Sequence, residues 1–180
     1  MKKKICFIWI AAQACLFVTV FIVHAQTCVG GGVLSINSVP VLESFGSANV
    51  DVYDQELIHV FSDFVQFEDS RAVAQSFTLY VSVTDFDAIS VENISIISDE
   101  DDIIDYNAEC DNVEGITLQH TSFSSFVDTD NDGVSDNKAL VVGDDRTRVG
   151  NYSIKPKIKL VVPGSLLAGN YSSTLTFSII

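Results

Sequence analysis

The chain of 180 residues carries 24 acidic and ten basic side chains, a formal net charge of −14 at pH 7. A charge this negative keeps a protein soluble, and it argues against nucleic acid and anionic membrane surfaces as partners. The length suits one domain with a sizeable core.

The N-terminus has the order of a secretory signal peptide. Lys2, Lys3 and Lys4 precede an apolar run at 5–23, and small or short residues lead up to Ala25. This order predicts a signal peptide at 1–25, with Gln26 as the first mature residue. The alternative is an uncleaved membrane anchor, because an apolar run of 19 residues is nearly long enough to span a bilayer.

Cleavage changes the composition of the chain. All 24 acidic residues and seven basic residues remain, a net charge of −17 on an extracellular or cell-surface protein without membrane contact. Residues 26–32 form a glycine-rich lead-in. Two cysteines remain, Cys28 and Cys110, which in an exported chain predict one disulfide, with two unpaired thiols as the alternative.

The rest of the chain has the periodicity of β-strands. Apolar and polar residues alternate at 77–84, 152–162 and 171–179, and weaker candidates are 33–36, 58–67, 89–97 and 116–119. Period two places the apolar side chains on one face of a sheet. Many short strands separated by turns predict an all-β fold, a single antiparallel β-sandwich at 33–180 of the Ig-like or jelly-roll-like kind.

Two prolines mark local irregularities. Pro156 lies within an alternating run and cannot donate to a ladder, so we expect an edge strand or a bulge there. Pro163 and Gly164 fit the central positions of a type II turn.

An acidic loop, "DTDNDGVSD" at 128–136, has the spacing of a calcium loop. Calcium takes six to eight oxygen ligands, and D-x-D-x-D-G loops supply them from positions 1, 3 and 5, with a glycine at the sharp turn. The alternative is a solvated acidic turn. The predicted ligands are Asp128, Asp130, Asp132, the backbone carbonyl of Val134, and Asp136.

The end of this loop departs from the EF-hand pattern. Ala139 stands at position 12, where an EF-hand has a bidentate glutamate. The last ligand is then Asp144, Asp145 or water. In spacing, the loop resembles thrombospondin type 3 and dockerin calcium loops.

Two stretches resemble bacterial WxL-type surface domains. They are "FEDSRAVAQSFTLYVSVTDF" at 67–86 and "PKIKLVVPGSLLAGNYSSTLTFSII" at 156–180, with Phe77 and Phe177 at the tryptophan positions. The resemblance implies a non-catalytic extracellular domain associated non-covalently with cell-wall peptidoglycan.

The residues themselves do not favour an enzyme. His59 and His120 lie in strand-like contexts, and there is no G-x-S-x-G motif. Asp69 and Arg71 predict a structural ion pair.

The leading hypothesis is therefore a module that binds cell-wall glycan or a surface protein. Tyr80, Phe86 and Tyr106 are candidate stacking positions, although Phe86 is better explained by core packing. The alternative hypothesis is a structural subunit of a surface layer or fibre, which self-associates by strand addition.

Overall fold

The computed structural model describes residues 32–41, 43–48, 52–71, 73, 75–86, 88–98, 104–105, 115–144 and 150–180. The predicted signal peptide, most of the glycine-rich lead-in, Cys28, Cys110 and Tyr106 lie outside these ranges. Within them, no helix is long and apolar enough to cross a membrane.

The described chain is built from β-strands, and its only helical element is a 3₁₀ turn at Val91–Asn93. The strands are β1 Leu34–Ser38, β2 Gln55–Val60, β3 Val65–Asp69, β4 Phe77–Val83, β5 Ile94–Ile97, β6 Ile104–Asp105, β7 Ile116–Leu118, β8 Ser124–Ser125, β9 Lys138–Gly143, β10 Gly150–Ile154, β11 Lys157–Val162 and β12 Leu175–Ile179. They form three four-stranded antiparallel sheets that pack together. The prediction of an all-β antiparallel sandwich is confirmed.

Two of the sheets are connected by two stretches of chain, each of which passes from a strand of one sheet directly into a strand of the other. Their strand orders are β1-β3-β10-β6 and β2-β11-β5-β8. Only residues 155–156 separate β10 from β11, and only residues 61–64 separate β2 from β3, so one kinked ribbon of two strands passes through both sheets. The kink lies at Pro156, which has no N–H for the ladder.

The prediction for Pro156 was an edge strand or a bulge. Instead, the alternating run is interrupted at this residue, which lies between β10 and β11. The prediction of an edge strand is wrong, because β11 pairs with β2 on one side and with β5 on the other.

The third sheet, of order β12-β4-β9-β7, completes the sandwich. The inward face of β4 consists of Phe77, Leu79, Val81 and Val83, and each of these side chains is at most 2% exposed. Phe77 contacts Phe67 of β3 and Tyr152 of β10, with ring centroids 5.7 and 6.4 Å apart. The core therefore joins the third sheet to the first through aromatic contacts.

The turn after β11 differs from its prediction by one position. The N–H of Leu166 donates to the carbonyl of Pro163 at 3.0 Å, so Pro163 is the first residue of the turn. Its central residues are Gly164 and Ser165.

The predicted ion pair between Asp69 and Arg71 is present. Nε of Arg71 donates to Oδ1 of Asp69 at 2.9 Å, and Nη2 donates to Oδ2 at 2.7 Å. This bidentate bond raises the pKa of Arg71, against the opposing effect of its burial. Nη2 also donates to the carbonyl of Gln75 at 2.8 Å, so the pair fixes the connection from β3 to β4.

Candidate functional site

The acidic loop brings three of its carboxylates together. One oxygen from each of Asp128, Asp130 and Asp132 lies within 4.8 Å of the others. These are positions 1, 3 and 5 of the predicted calcium loop, and they can hold a cation between them.

The loop conformation follows from local hydrogen bonds. The Asp128 carboxylate accepts from the N–H of Gly133 at 2.9 Å and from that of Asp132 at 3.3 Å. Gly133 has φ +83°, a conformation that favours glycine, and Asn131 is also left-handed at +57°. The sequence prediction that Gly133 permits a sharp turn is confirmed.

The base of the loop is fixed to β4. Ser135 donates its N–H to the Val83 carbonyl at 2.8 Å, and its Oγ accepts from the Val83 N–H at 2.9 Å. The N–H of Asp136 donates to the carbonyl of Val127 at 2.7 Å, which closes the loop. Because a rigid strand holds the base, the positions of the carboxylates are set by the fold.

The pKa values of two loop carboxylates are shifted because negative charges lie close together. The bond to Asp128 and the negative charge of Asp132 raise the pKa of Asp130. Burial raises the pKa of Asp128, but hydrogen bonds from Gly133, Asp130 and other loop groups outweigh it, so that pKa is lowered. Protonation of Asp130 therefore competes with the binding of a cation by these carboxylates.

The other predicted ligands are not part of the group of three carboxylates. Asp136 is outside the group of three carboxylates, and its Oδ2 accepts from Oγ1 of Thr129. Val134 donates its N–H to Oδ1 of Asp132 at 2.8 Å and bridges to Thr84. Asp144 follows β9 at the end away from the loop, about 17 Å along the strand. Asp144 is therefore not the last ligand, and Asp145 lies outside the described residues.

A second site, which the sequence did not predict, is a cleft between the second and third sheets. It has a volume of about 640 Å³, within the range of small-ligand pockets. Its walls are β2 and β11 on one side and β12 on the other, and the chain at 39–41 and 43–48 passes over it. We call residues 39–41 and 43–48 the strap. Apolar side chains dominate the lining, among them Phe45, Leu57, Phe61, Phe86, Leu175 and Phe177.

The strap is held by one carboxylate. Oε1 of Glu43 accepts from the N–H of Ser62 at 2.8 Å and from its Oγ at 2.7 Å. Oε2 lies 2.7 Å from Nε2 of His59. Phe45 then packs its ring against His59 and Phe86, with centroids 5.6 and 5.8 Å away.

No family model, curated protein or solved structure matches the chain. The acidic loop and the cleft are therefore the features from which a function can be inferred.

The candidate stacking residues do not form the cleft together. Phe86 is 8% exposed and lines the cleft from the core, in agreement with the packing explanation. Tyr80 is half-buried on the opposite face of β4 from the core residues. Phe45 and Phe61 were missed because they come from separated parts of the chain and neither lies in a clearly alternating run.

The bonds of Glu43 predict an acid-sensitive strap. Burial raises the pKa of Glu43, but the hydrogen bonds from Ser62 and His59 outweigh it and hold the pKa below its ordinary value of 4.5. The stabilisation is therefore present above pH 4.5 and is lost as the pH falls through the lowered pKa. We expect Glu43→Gln to reduce the free energy of unfolding by about 1 kcal/mol at pH 7.

Thermal melting at pH 7 and pH 3 tests whether the charge of Glu43 stabilises the strap. The difference between wild type and Glu43→Gln should shrink as the pH falls from 7 to 3, because protonation of Glu43 removes the charge that accepts these bonds. Glu56→Gln is the matched control, because the Glu56 side chain is 61% exposed and should change stability little. An equal difference at both pH values would contradict the assigned role of the Glu43 charge.

Proposed function

We propose that this chain is a non-catalytic, secreted or cell-surface β-sandwich module that binds cell-wall glycan or a surface partner through the cleft. The observation that carries the proposal is the cleft of about 640 Å³, whose lining continues into the core through Phe61, Ile158 and Leu160. The signal-peptide pattern and the WxL resemblance support the location. A rigid scaffold that displays a concave, mostly apolar surface is suited to recognition.

The polar groups beside the cleft support binding more than catalysis. Ser62 directs its hydroxyl proton at Glu43, and His59 also uses Nε2 toward Glu43. A serine nucleophile requires its hydroxyl to be bonded to the base that removes the proton. This arrangement instead fastens the strap to β2.

Binding to purified, insoluble peptidoglycan tests the proposal. Residues 26–180 contain no tryptophan, so Ala168→Trp both narrows the cleft and adds a unique fluorophore. If cell-wall glycan is the ligand, the wild type should sediment with peptidoglycan and Ala168→Trp should bind at least about tenfold more weakly.

Thr121→Trp is the control, because Thr121 is exposed and lies outside the cleft lining. It should bind as the wild type does. The cleft is not the binding surface if both tryptophan variants bind equally well. If the wild type stays in the supernatant with peptidoglycan and with extracts of surface proteins, the module is not a binding protein.

We also propose that the acidic loop binds Ca²⁺ and that the ion stabilises the domain. With a Kd of about 1 mM, typical of weak extracellular sites, 10 mM Ca²⁺ stabilises the folded state by about 1.4 kcal/mol. The melting temperature should then rise by about 4 °C. Asp130→Asn should abolish most of this rise, and without calcium it should not destabilise the domain, because it removes one of three clustered charges.

Melting curves in EDTA and in 10 mM Ca²⁺ measure both effects. Asp144→Asn is the matched control, since Asp144 lies at the far end of β9, and it should keep the full calcium response. The raised pKa of Asp130 implies that the response weakens as the pH falls toward that pKa. A wild-type melting temperature that calcium leaves unchanged at pH 7 would show that the loop is only a solvated turn.

A second candidate function, assembly into a surface layer or fibre, is favoured by β12. This strand pairs only with β4 among the described residues, and residues 160–180 carry no charged side chain. Uncharged edges without prolines or bulges are prone to pair with other chains. Sedimentation at rising protein concentration tests assembly, and a persistent monomer would exclude it.

A further inference from the structure

The hydrogen-bond pattern of β12 leaves backbone groups open on one side. Thr78 and Ile180 exchange both of their backbone hydrogen bonds, at 2.8 and 3.1 Å, and Thr84 donates to the carbonyl of Thr174 at 3.0 Å. In an antiparallel pair, such bonded positions alternate with positions whose N–H and C=O point to the opposite edge. The backbone groups of Leu175, Phe177 and Ile179 therefore point away from β4.

Two of these open positions lie in the wall of the cleft. Leu175 and Phe177 line it, whereas Ile179 lies on the same strand toward the end that pairs with Leu79. No strand of the described chain pairs with this edge of β12. The cleft thus combines an apolar floor with one row of backbone donors and acceptors that bond to no other described residue, about 7 Å apart along the strand.

The charge of the lining restricts what can enter. Among the described residues of the lining, Glu43 is the only acidic side chain and there is no lysine or arginine. Glu43 is already bonded to Ser62 and His59. A charged occupant would lose hydration without gaining a partner. An uncharged occupant is therefore favoured, although the chain as a whole carries −14.

The geometry of the donors distinguishes an uncharged peptide from a glycan. Backbone N–H and C=O groups in a row match the backbone of an extended strand, whose alternate side chains then face the apolar floor. Sugar hydroxyls are usually met by polar side chains, and the floor of this cleft is formed by residues such as Leu57, Phe61 and Leu160.

We propose that the cleft binds an extended, uncharged peptide segment of a partner protein as an added antiparallel strand on β12. Leu175 and Phe177 supply the backbone hydrogen bonds, and the apolar residues of the peptide occupy the floor beneath the strap. The proposal rests on the proposed binding function and specifies the class of partner. It extends the third sheet from four strands to five.

The test uses blocked, fluorescently labelled hexapeptides in which threonine alternates with valine, leucine or phenylalanine, with binding followed by fluorescence anisotropy. In antiparallel pairing, the residues that face the floor are those whose amides bond to β12. N-methylation of the apolar residues should therefore weaken binding at least about tenfold, as expected for loss of two hydrogen bonds. N-methylation of the threonines should change it less than about threefold.

Two variants of the chain provide a reciprocal test. Leu175→Pro removes an N–H that points away from β4, so the ladder within the third sheet is retained. It should weaken peptide binding about tenfold, whereas Leu175→Val, which keeps the N–H, should bind nearly as the wild type does. Circular dichroism verifies that both variants fold. If Leu175→Pro does not fold, the methylated peptides still test the proposal on the wild type.

Several results would overturn the proposal. They are the absence of binding by every peptide of the panel, equal loss with both methylation patterns, or self-association of the free chain through β12 in place of peptide binding. Binding of peptidoglycan that is sensitive to Ala168→Trp, without binding of any peptide, would overturn strand addition while leaving the proposed binding function intact.

Discussion

Replacing Phe77 with alanine should lower the free energy of unfolding by about 4 kcal/mol, as expected when a large aromatic side chain is removed from a packed core. Phe77 is 2% exposed and contacts the rings of Phe67 and Tyr152. Its ring lies against Gly143 of β9, so closely that a Cβ at Gly143 would collide with it. Phe77 therefore joins four strands of two sheets, and the surrounding backbone cannot easily fill the cavity.

Phe177→Ala is the control for this prediction. Phe177 is half-buried at the cleft, where it meets Phe61 edge to face at 6.4 Å, so its removal should cost about 2 kcal/mol. Urea unfolding of both variants measures the difference. If Phe77→Ala cost no more than Phe177→Ala, the aromatic contact between the sheets would not be the main support of the core.

Replacing Arg71 with alanine should cost about 3 kcal/mol. The Asp69 side chain is only 4% exposed, so the change leaves a buried carboxylate without its partner. The same guanidinium also holds the carbonyl of Gln75, so the connection into β4 loses a second anchor. Urea unfolding at neutral pH gives the magnitude.

A surface ion pair provides the matched comparison. Lys159 and Glu56 are 3.3 Å apart, and the Glu56 side chain is 61% exposed, so Glu56→Ala should cost less than about 1 kcal/mol. The loss of stability for Arg71→Lys should lie between those for Arg71→Ala and Glu56→Ala, because lysine keeps the charge but not the bidentate geometry. Similar losses for Arg71→Ala and Glu56→Ala would mean that burial adds nothing to the Asp69 pair.

The sequence predicted the strands in which alternation is undisturbed. The alternation at 77–84 became β4, with its apolar face buried, because one register persists along the strand. It did not predict β9, in which Leu140 and Val141 are adjacent and both fully buried. The register between β4 and β9 shifts at Leu79 and Tyr80, and such a bulge places consecutive residues toward the core.

Alternation of apolar and polar residues also continues through positions where a strand is interrupted. The run at 152–162 is two strands in two sheets, since Pro156 breaks the ladder while alternation continues past it. The last strand begins at Leu175, not at Tyr171, whose hydroxyl instead donates to the carbonyl of Leu167. Side-chain periodicity reports which face is buried, but it does not report where hydrogen bonding ends.

The two candidate sites differ in how far sequence could predict them. The acidic loop is contiguous, so its spacing indicated which three carboxylates meet. The cleft depends on the strap, on β2 and β11, and on β12, which are brought together only by the tertiary fold. The bonds of Glu43 to His59 and Ser62 are likewise invisible in the sequence, because the strap has no regular secondary structure.

If the sandwich binds its ligand in the cleft beneath the strap, amide chemical-shift mapping should locate the ligand there. Isotope-labelled protein of residues 26–180 would be titrated with solubilised cell-wall fragments and, separately, with the alternating peptides. The largest changes in amide chemical shift should fall on the strap and on Leu175 and Phe177, with small changes in β7 and β9. Saturable shifts confined to β7 and β9, with none in the cleft, would contradict binding beneath the strap.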